Sequence, residues 1–194
     1  MKFSKTLICA ALLGLGAQAQ AAQYLGATGT GVTVADLSSP GLLGFDLDFA
    51  QRSQVSLSFA IEAQDLAPGA LSFNALVRNL SGLGFEGVSL RLDGARFALP
   101  AGSLATDGFQ AVAQSGHGVD RLWAKFSEPG LTTEFYIGNP LASVGARDWT
   151  LDLSGQQVGD TFRITVAVPE PGTYALMLAG LAAVGFVARR RKPF

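Results

Sequence analysis

Val55-Ser56-Leu57-Ser58-Phe59-Ala60-Ile61 alternates apolar residues with small or polar ones at every step. A period of two sends the two sets to opposite faces of an extended chain, so the stretch predicts a half-buried strand. The same alternation recurs after it, in Leu71–Val77, Val88–Leu92, Ala95–Leu99, Leu122–Phe126, Glu134–Ile137, Trp149–Leu153 and Phe162–Val166. Asp93-Gly94, between two such runs, reads as a two-residue hairpin turn of the type that needs positive φ at both positions. Ser154–Asp160 reads as the turn between the last two strands. No stretch holds helical apolar spacing for long. The expected fold class is all-β: a single antiparallel β-sandwich, jelly-roll-like or Ig-like, of about nine to eleven strands.

The 194-residue chain has its charges segregated. Six of its 14 basic residues (Lys2, Lys5, Arg189, Arg190, Arg191, Lys192) lie near the two ends, and only Glu170 of its 15 acids belongs with them. Eight bases and 14 acids remain between, a net charge of about −6. An acidic body is poorly suited to neutralising phosphates, so nucleic acid is not an expected partner. The single cysteine, Cys9, lies in an apolar run at the front. The body therefore holds no thiol for a disulfide, a zinc site or a nucleophile.

That front run has the order of a signal peptide. Met1-Lys2-Phe3-Ser4-Lys5 is basic, Thr6–Gly16 is apolar, and Ala17-Gln18-Ala19-Gln20-Ala21-Ala22 offers small-x-small cleavage sites after Ala19 or Ala21. The expected domains are a signal peptide over 1–21, a secreted β-domain over 22–167 and a tail over 168–194.

The tail begins Val168-Pro169-Glu170-Pro171-Gly172-Thr173-Tyr174 and continues through an uncharged apolar run to Ala188, followed by Arg189-Arg190-Arg191-Lys192. Two prolines fix φ and remove two backbone donors, so the segment cannot join a helix interior or a central strand. An apolar helix over 174–188 is short for a hydrocarbon core, with Tyr174 at one interface and the basic cluster snorkelling at the other. The cluster reads as cytoplasmic by the positive-inside rule, which leaves the body across the membrane. Pro-Glu-Pro, a short apolar helix and a terminal arginine cluster resemble the PEP-CTERM sorting domain, a region also grouped under the heading "ice-binding protein C-terminal". The resemblance implies a Gram-negative, exopolysaccharide-making cell. It also implies recognition by an exosortase, a membrane cysteine transpeptidase-like enzyme, with processing near Pro169, Glu170 and Pro171. The tail would lie in the inner membrane before processing. The body would then reach the periplasm, the outer surface or the extracellular matrix.

Within the body, chemistry is sparse. His117 stands between glycines in Ser115-Gly116-His117-Gly118 and reads as a surface-loop histidine. No Gly-x-Ser-x-Gly elbow is present. Asp46 and Asp48 share one face of Phe45–Phe49, and Asp148 and Asp152 bracket Trp149. Amphipathic patterning explains these pairs; a calcium site or a glycosidase carboxylate pair is the functional alternative. Trp123, Tyr136 and Trp149 could stack sugars, but core packing is their expected role. Thr28, Thr30 and Thr33 are too few for a flat threonine array. Asn79-Leu80-Ser81 fits a glycosylation sequon and is discounted beside bacterial signals. No cofactor, metal or catalytic residue is expected. The leading expectation is a non-catalytic cell-surface or matrix protein associated with exopolysaccharide or biofilm. The alternative is a secreted carboxylate-dependent polysaccharide hydrolase or lyase.

Overall fold

A computed structural model describes residues 22–107, 111–127, 132–168 and 180–182. Their thirteen strands are β1 (Gln23–Gly29), β2 (Val32–Asp36), β3 (Leu42–Phe49), β4 (Gln54–Ala60), β5 (Leu71–Asn79), β6 (Gly87–Asp93) and β7 (Arg96–Phe97), then β8 (Leu104–Thr106), β9 (Val112–His117), β10 (Arg121–Phe126), β11 (Glu134–Ile137), β12 (Trp149–Asp152) and β13 (Thr161–Ala167). Helix is confined, among the described residues, to a 3₁₀ turn at Ala63–Leu66 and to residues 180–182. No helix among them is long and apolar enough to cross a membrane. Residues 1–21 and most of the apolar run over 174–188 lie outside the described residues.

The protein is all-β, as its alternation predicts. Sheet A has the order β1-β4-β13-β6-β10-β9; sheet B has β2-β3-β5-β11-β8, with β12 joining β5 to β7. The alternating apolar sets of both sheets meet in one core. Val55, Leu57 and Phe59 of β4 and Phe162, Ile164 and Val166 of β13 face Phe45, Leu47 and Phe49 of β3 and Phe73, Ala75 and Val77 of β5. Rings close the layer gap: Phe45 lies edge-on to Phe59 at 5.8 Å, and Phe126 to Phe135 at 5.2 Å. Each buried Val, Leu, Ile or Phe among them contributes roughly 1.5–3 kcal/mol of transfer free energy.

Sequence expectation and structure differ in four places. The strands exceed the expected nine to eleven, because β1, β2, β8 and β9 lie outside the alternating runs read from the sequence. Sheet B is mixed: β3 and β5 run parallel in register from Leu42↔Ser72 to Phe49↔Asn79. The chain goes up β3, crosses to sheet A, comes down β4 and crosses back, so β5 returns beside β3 in the same direction. Asp93-Gly94 is not a hairpin turn. β6 already has β13 and β10 on its two edges, so β7 pairs with β12 in the other sheet. Only Gly94 takes a positive φ there, 78°. Ser154–Asp160 likewise links strands of opposite sheets, β12 and β13.

Candidate functional site

β13 is a central strand, and the tail leaves directly from it. Ala167 pairs with both Gln54 and Ser89. Val168 is buried, and its N–H donates to Ser53 O at 2.9 Å. Pro169 follows with no linker. Ala22, at the other end of the described body, is buried as well. Pro169, Glu170, Pro171 and the basic cluster Arg189, Arg190, Arg191 and Lys192 lie outside the described residues.

The outer face of sheet B gathers the predicted carboxylates. Asp46 and Asp48 stand on β3 beside Arg78 of β5, whose Nη2 donates to Asp46 at 2.9 Å and Nε to Asp48 at 2.6 Å. One guanidinium thus occupies the position between the carboxylates that a calcium ion would need. The Asp48 hydrogen bond is the main cause that raises the Arg78 pKa further, with the Asp48, Asp46 and Glu134 charges adding to it against partial desolvation. Tyr136 donates to Glu134 at 2.7 Å. Burial first, then that hydrogen bond and the Glu134 and Asp107 charges, push its hydroxyl up to about 12. Asp148 accepts from Asn74 Nδ2 at 3.0 Å and from the Asn139 N–H at 2.7 Å. Asp46 and Asp148 line one depression of about 350 Å³; Asp152 instead accepts from Ser154 N–H and hydroxyl.

The outer face of sheet A is different. Cross-strand register sets Ser56, Thr165, Arg91 and Arg121 in one row, and Gln54, Ala167, Ser89, Trp123 and Gly116 in the next. Lys125 follows beside Gly87, and Arg163 stands opposite Asp93. This face carries four of the eight bases of the body. Among the described residues, Arg91, Lys125 and Arg163 have no ion-pair partner, and Arg121 meets only its neighbour Asp120 at 3.3 Å. Trp123 is 38% exposed. A Cβ on Gly116 would lie 3.0–3.1 Å from its indole, so the ring rests against bare glycine backbone. Two depressions, of about 540 and 360 Å³, meet at Trp123 and Ser89.

The expected core role holds for Trp149, which is buried and donates Nε1–H to Ser103 O, and fails for Trp123. Its in-phase neighbours Arg121 and Lys125 are the signal that places Trp123 outside. His117 is no loop residue: it ends β9, pairs with Leu122 and sits edge-on to Trp149 at 5.5 Å. Thr28 and Thr33 fall on strands of different sheets. The Asn79 side chain is engaged with Ser81, Leu83 and Thr132. Arg91 and Arg121, side by side across two strands, were not singled out by the sequence; their adjacency exists only through register.

These features define an all-β domain with a C-terminal signal abutting its central strand. Residues 167–192 match the family model of the PEP-CTERM protein-sorting motif. The chain carries that motif, and with it the mark of an exosortase-sorted exported protein. The motif begins within the fold, since Ala167 and Val168 belong to both. Neither a curated protein nor a solved structure matches the chain.

Proposed function

We propose that the signal peptide and the sorting motif deliver a non-catalytic β-domain to the cell surface or matrix, where it associates with exopolysaccharide. The observation that carries this reading is the motif over 167–192 on a body that closes at Val168. Processing beyond Val168 would release the domain with its central strand complete. Before processing, the six residues 169–174 span at most ~20 Å and would hold the domain close to the membrane. The jelly-roll or Ig-like type of sandwich stays part of this proposal.

Intact mass of the protein from the envelope and medium of its own cell tests it, beside a Pro169-Glu170-Pro171→Ala variant. The expected native form lacks the first ~20 residues and the segment beyond the motif, and the variant stays in the inner membrane. Tails retained in both forms would make the segment an ordinary anchor.

The second reading, a polysaccharide hydrolase or lyase, is favoured by Asp46 and Asp148 sharing one depression. It is weakened by the prior engagement of Asp46 with Arg78 and of Asp148 with two amides. Reducing ends released from a polyuronate and lost in Asp46→Asn would carry it; no release would remove it.

A further inference from the structure

We propose that the outer face of sheet A is a binding site for an anionic polysaccharide. A sugar ring stacks on the Trp123 indole, and carboxylates along the polymer are taken by Arg91, Arg121 and Lys125. The proposal rests on the matrix reading above and supplies it with a ligand class and a site.

Trp123 is the only Phe, Tyr or Trp classed as exposed among the described residues. The indole is more open to solvent than the other Phe, Tyr and Trp rings among the described residues, and Gly116 across the strand leaves room for it to lie flat. A flat ring presents its electron-rich face to the C–H groups of a sugar. Arg91 and Arg121 face each other directly across β6 and β10. Like charges in that position destabilise a sheet, and an anion between them removes the repulsion. Along β10, Arg121 and Lys125 flank Trp123 at about 7 Å on either side, so charge and platform alternate along one line. Ser89, Thr165 and Gln54 edge the depressions with groups that match sugar hydroxyls. Polyanionic glycan fits this better than the alternatives. Single-stranded nucleic acid uses successive stacking rings, and this face has one. Membrane insertion needs a projecting ring, and this one lies against Gly116 of the neighbouring strand.

The test uses the full chain made in its own cell and recovered in exported form. Its migration is measured in gels carrying sodium polygalacturonate, dextran or the cell's own exopolysaccharide, and its binding to oligothymidylate and to phosphatidylglycerol vesicles is measured beside it. The proposal expects retardation by polygalacturonate that weakens with salt and is absent for dextran. Trp123→Ala weakens it at least tenfold, and Arg91→Ala/Arg121→Ala at least fivefold with a shallower salt dependence. Val144→Ser, on a distant loop, changes nothing. Should Trp123→Ala fail to accumulate, Trp123→Tyr must retain most binding and Arg91→Glu/Arg121→Glu must abolish it. Trp123→Ala binding within twofold of the native protein overturns the proposal. So does equal retention by dextran, or tighter binding to oligothymidylate or vesicles. Exopolysaccharide bound equally by Trp123→Ala refutes the site and leaves the matrix reading standing. Polygalacturonate bound through Trp123 with exopolysaccharide ignored supports the site and removes that reading.

Discussion

The two outer faces of the molecule use charge in opposite ways. On sheet B, Asp46 and Asp48 clamp Arg78, and Glu134 accepts from Tyr136. On sheet A, Arg91, Arg121, Lys125 and Arg163 stand among hydroxyls and one indole, with Asp93 opposite Arg163 and Glu86 lining the depression at Trp123, and among the described residues their one ion pair is Arg121 with Asp120. The Asp46–Arg78–Asp48 cluster of sheet B is resolved within the fold; Arg91, Lys125 and Arg163 of sheet A have no ion-pair partner among the described residues. The net charge of the body, about −6, hides this division. A face whose cations oppose one another has no evident folding role, whereas a clamped arginine does.

The largest expected effect breaks the sheet B clamp. Arg78→Met leaves two carboxylates, 23% and 25% exposed, without their cation. Their remaining exposure screens the loss, so the expected destabilisation is about 1–2 kcal/mol, or roughly 2–8 °C in Tm. Arg91→Met on sheet A should stay within about 0.5 kcal/mol or stabilise slightly by relieving Arg121. Urea unfolding of both variants decides this. Equal losses would erase the contrast between the faces.

A smaller effect sits in the alkaline limb. Tyr136 has its pKa raised from 10.0 to about 12. Between these values the unfolded chain gives up the proton and the folded chain keeps it, so the stabilising difference is whole below pH 10 and fades as pH rises towards 12. Tyr136→Phe should flatten that decline. Tyr24, raised by burial and by Asp36, leaves a remainder. Phenolate absorbance should show a late-titrating tyrosine in the folded protein that the variant lacks; an unchanged late titration would remove Tyr136 as its source.

How much of this was legible in the sequence varies by element. β4, β10 and β13 were plain, because each has one buried and one more open face and period two reports that directly. The sheet switches at Gly94 and at Ser154–Asp160 were not. A turn signal says that the chain reverses, while the choice of partner depends on which edges are already filled. The Asp46–Asp48 face was read correctly, but its partner Arg78 stands 30 residues further on and meets it through the parallel β3–β5 pairing. The sorting motif was legible because it is a local signal that needs no fold. The sheet A site was missed because its parts are contributed by β6, β9 and β10 and become one surface only through register.

The smallest structural change gives the finest test of the contrast. Gly116→Ala adds a methyl 3.0–3.1 Å from the Trp123 indole, which must move away by a few tenths of an ångström. The ring is half free and can move. Replacing a strand glycine also recovers about 0.5–1 kcal/mol of backbone entropy, so net stability should change little. No charge is altered. Trp123 fluorescence should shift while the buried Trp149 component stays fixed. Retention by polygalacturonate should fall several-fold with its salt dependence intact, since the cations remain and only the platform has tilted. Unchanged retention would mean that Arg91, Arg121 and Lys125 suffice and that the indole is incidental. The face would then be a general anion surface, and its contrast with sheet B would be one of charge alone.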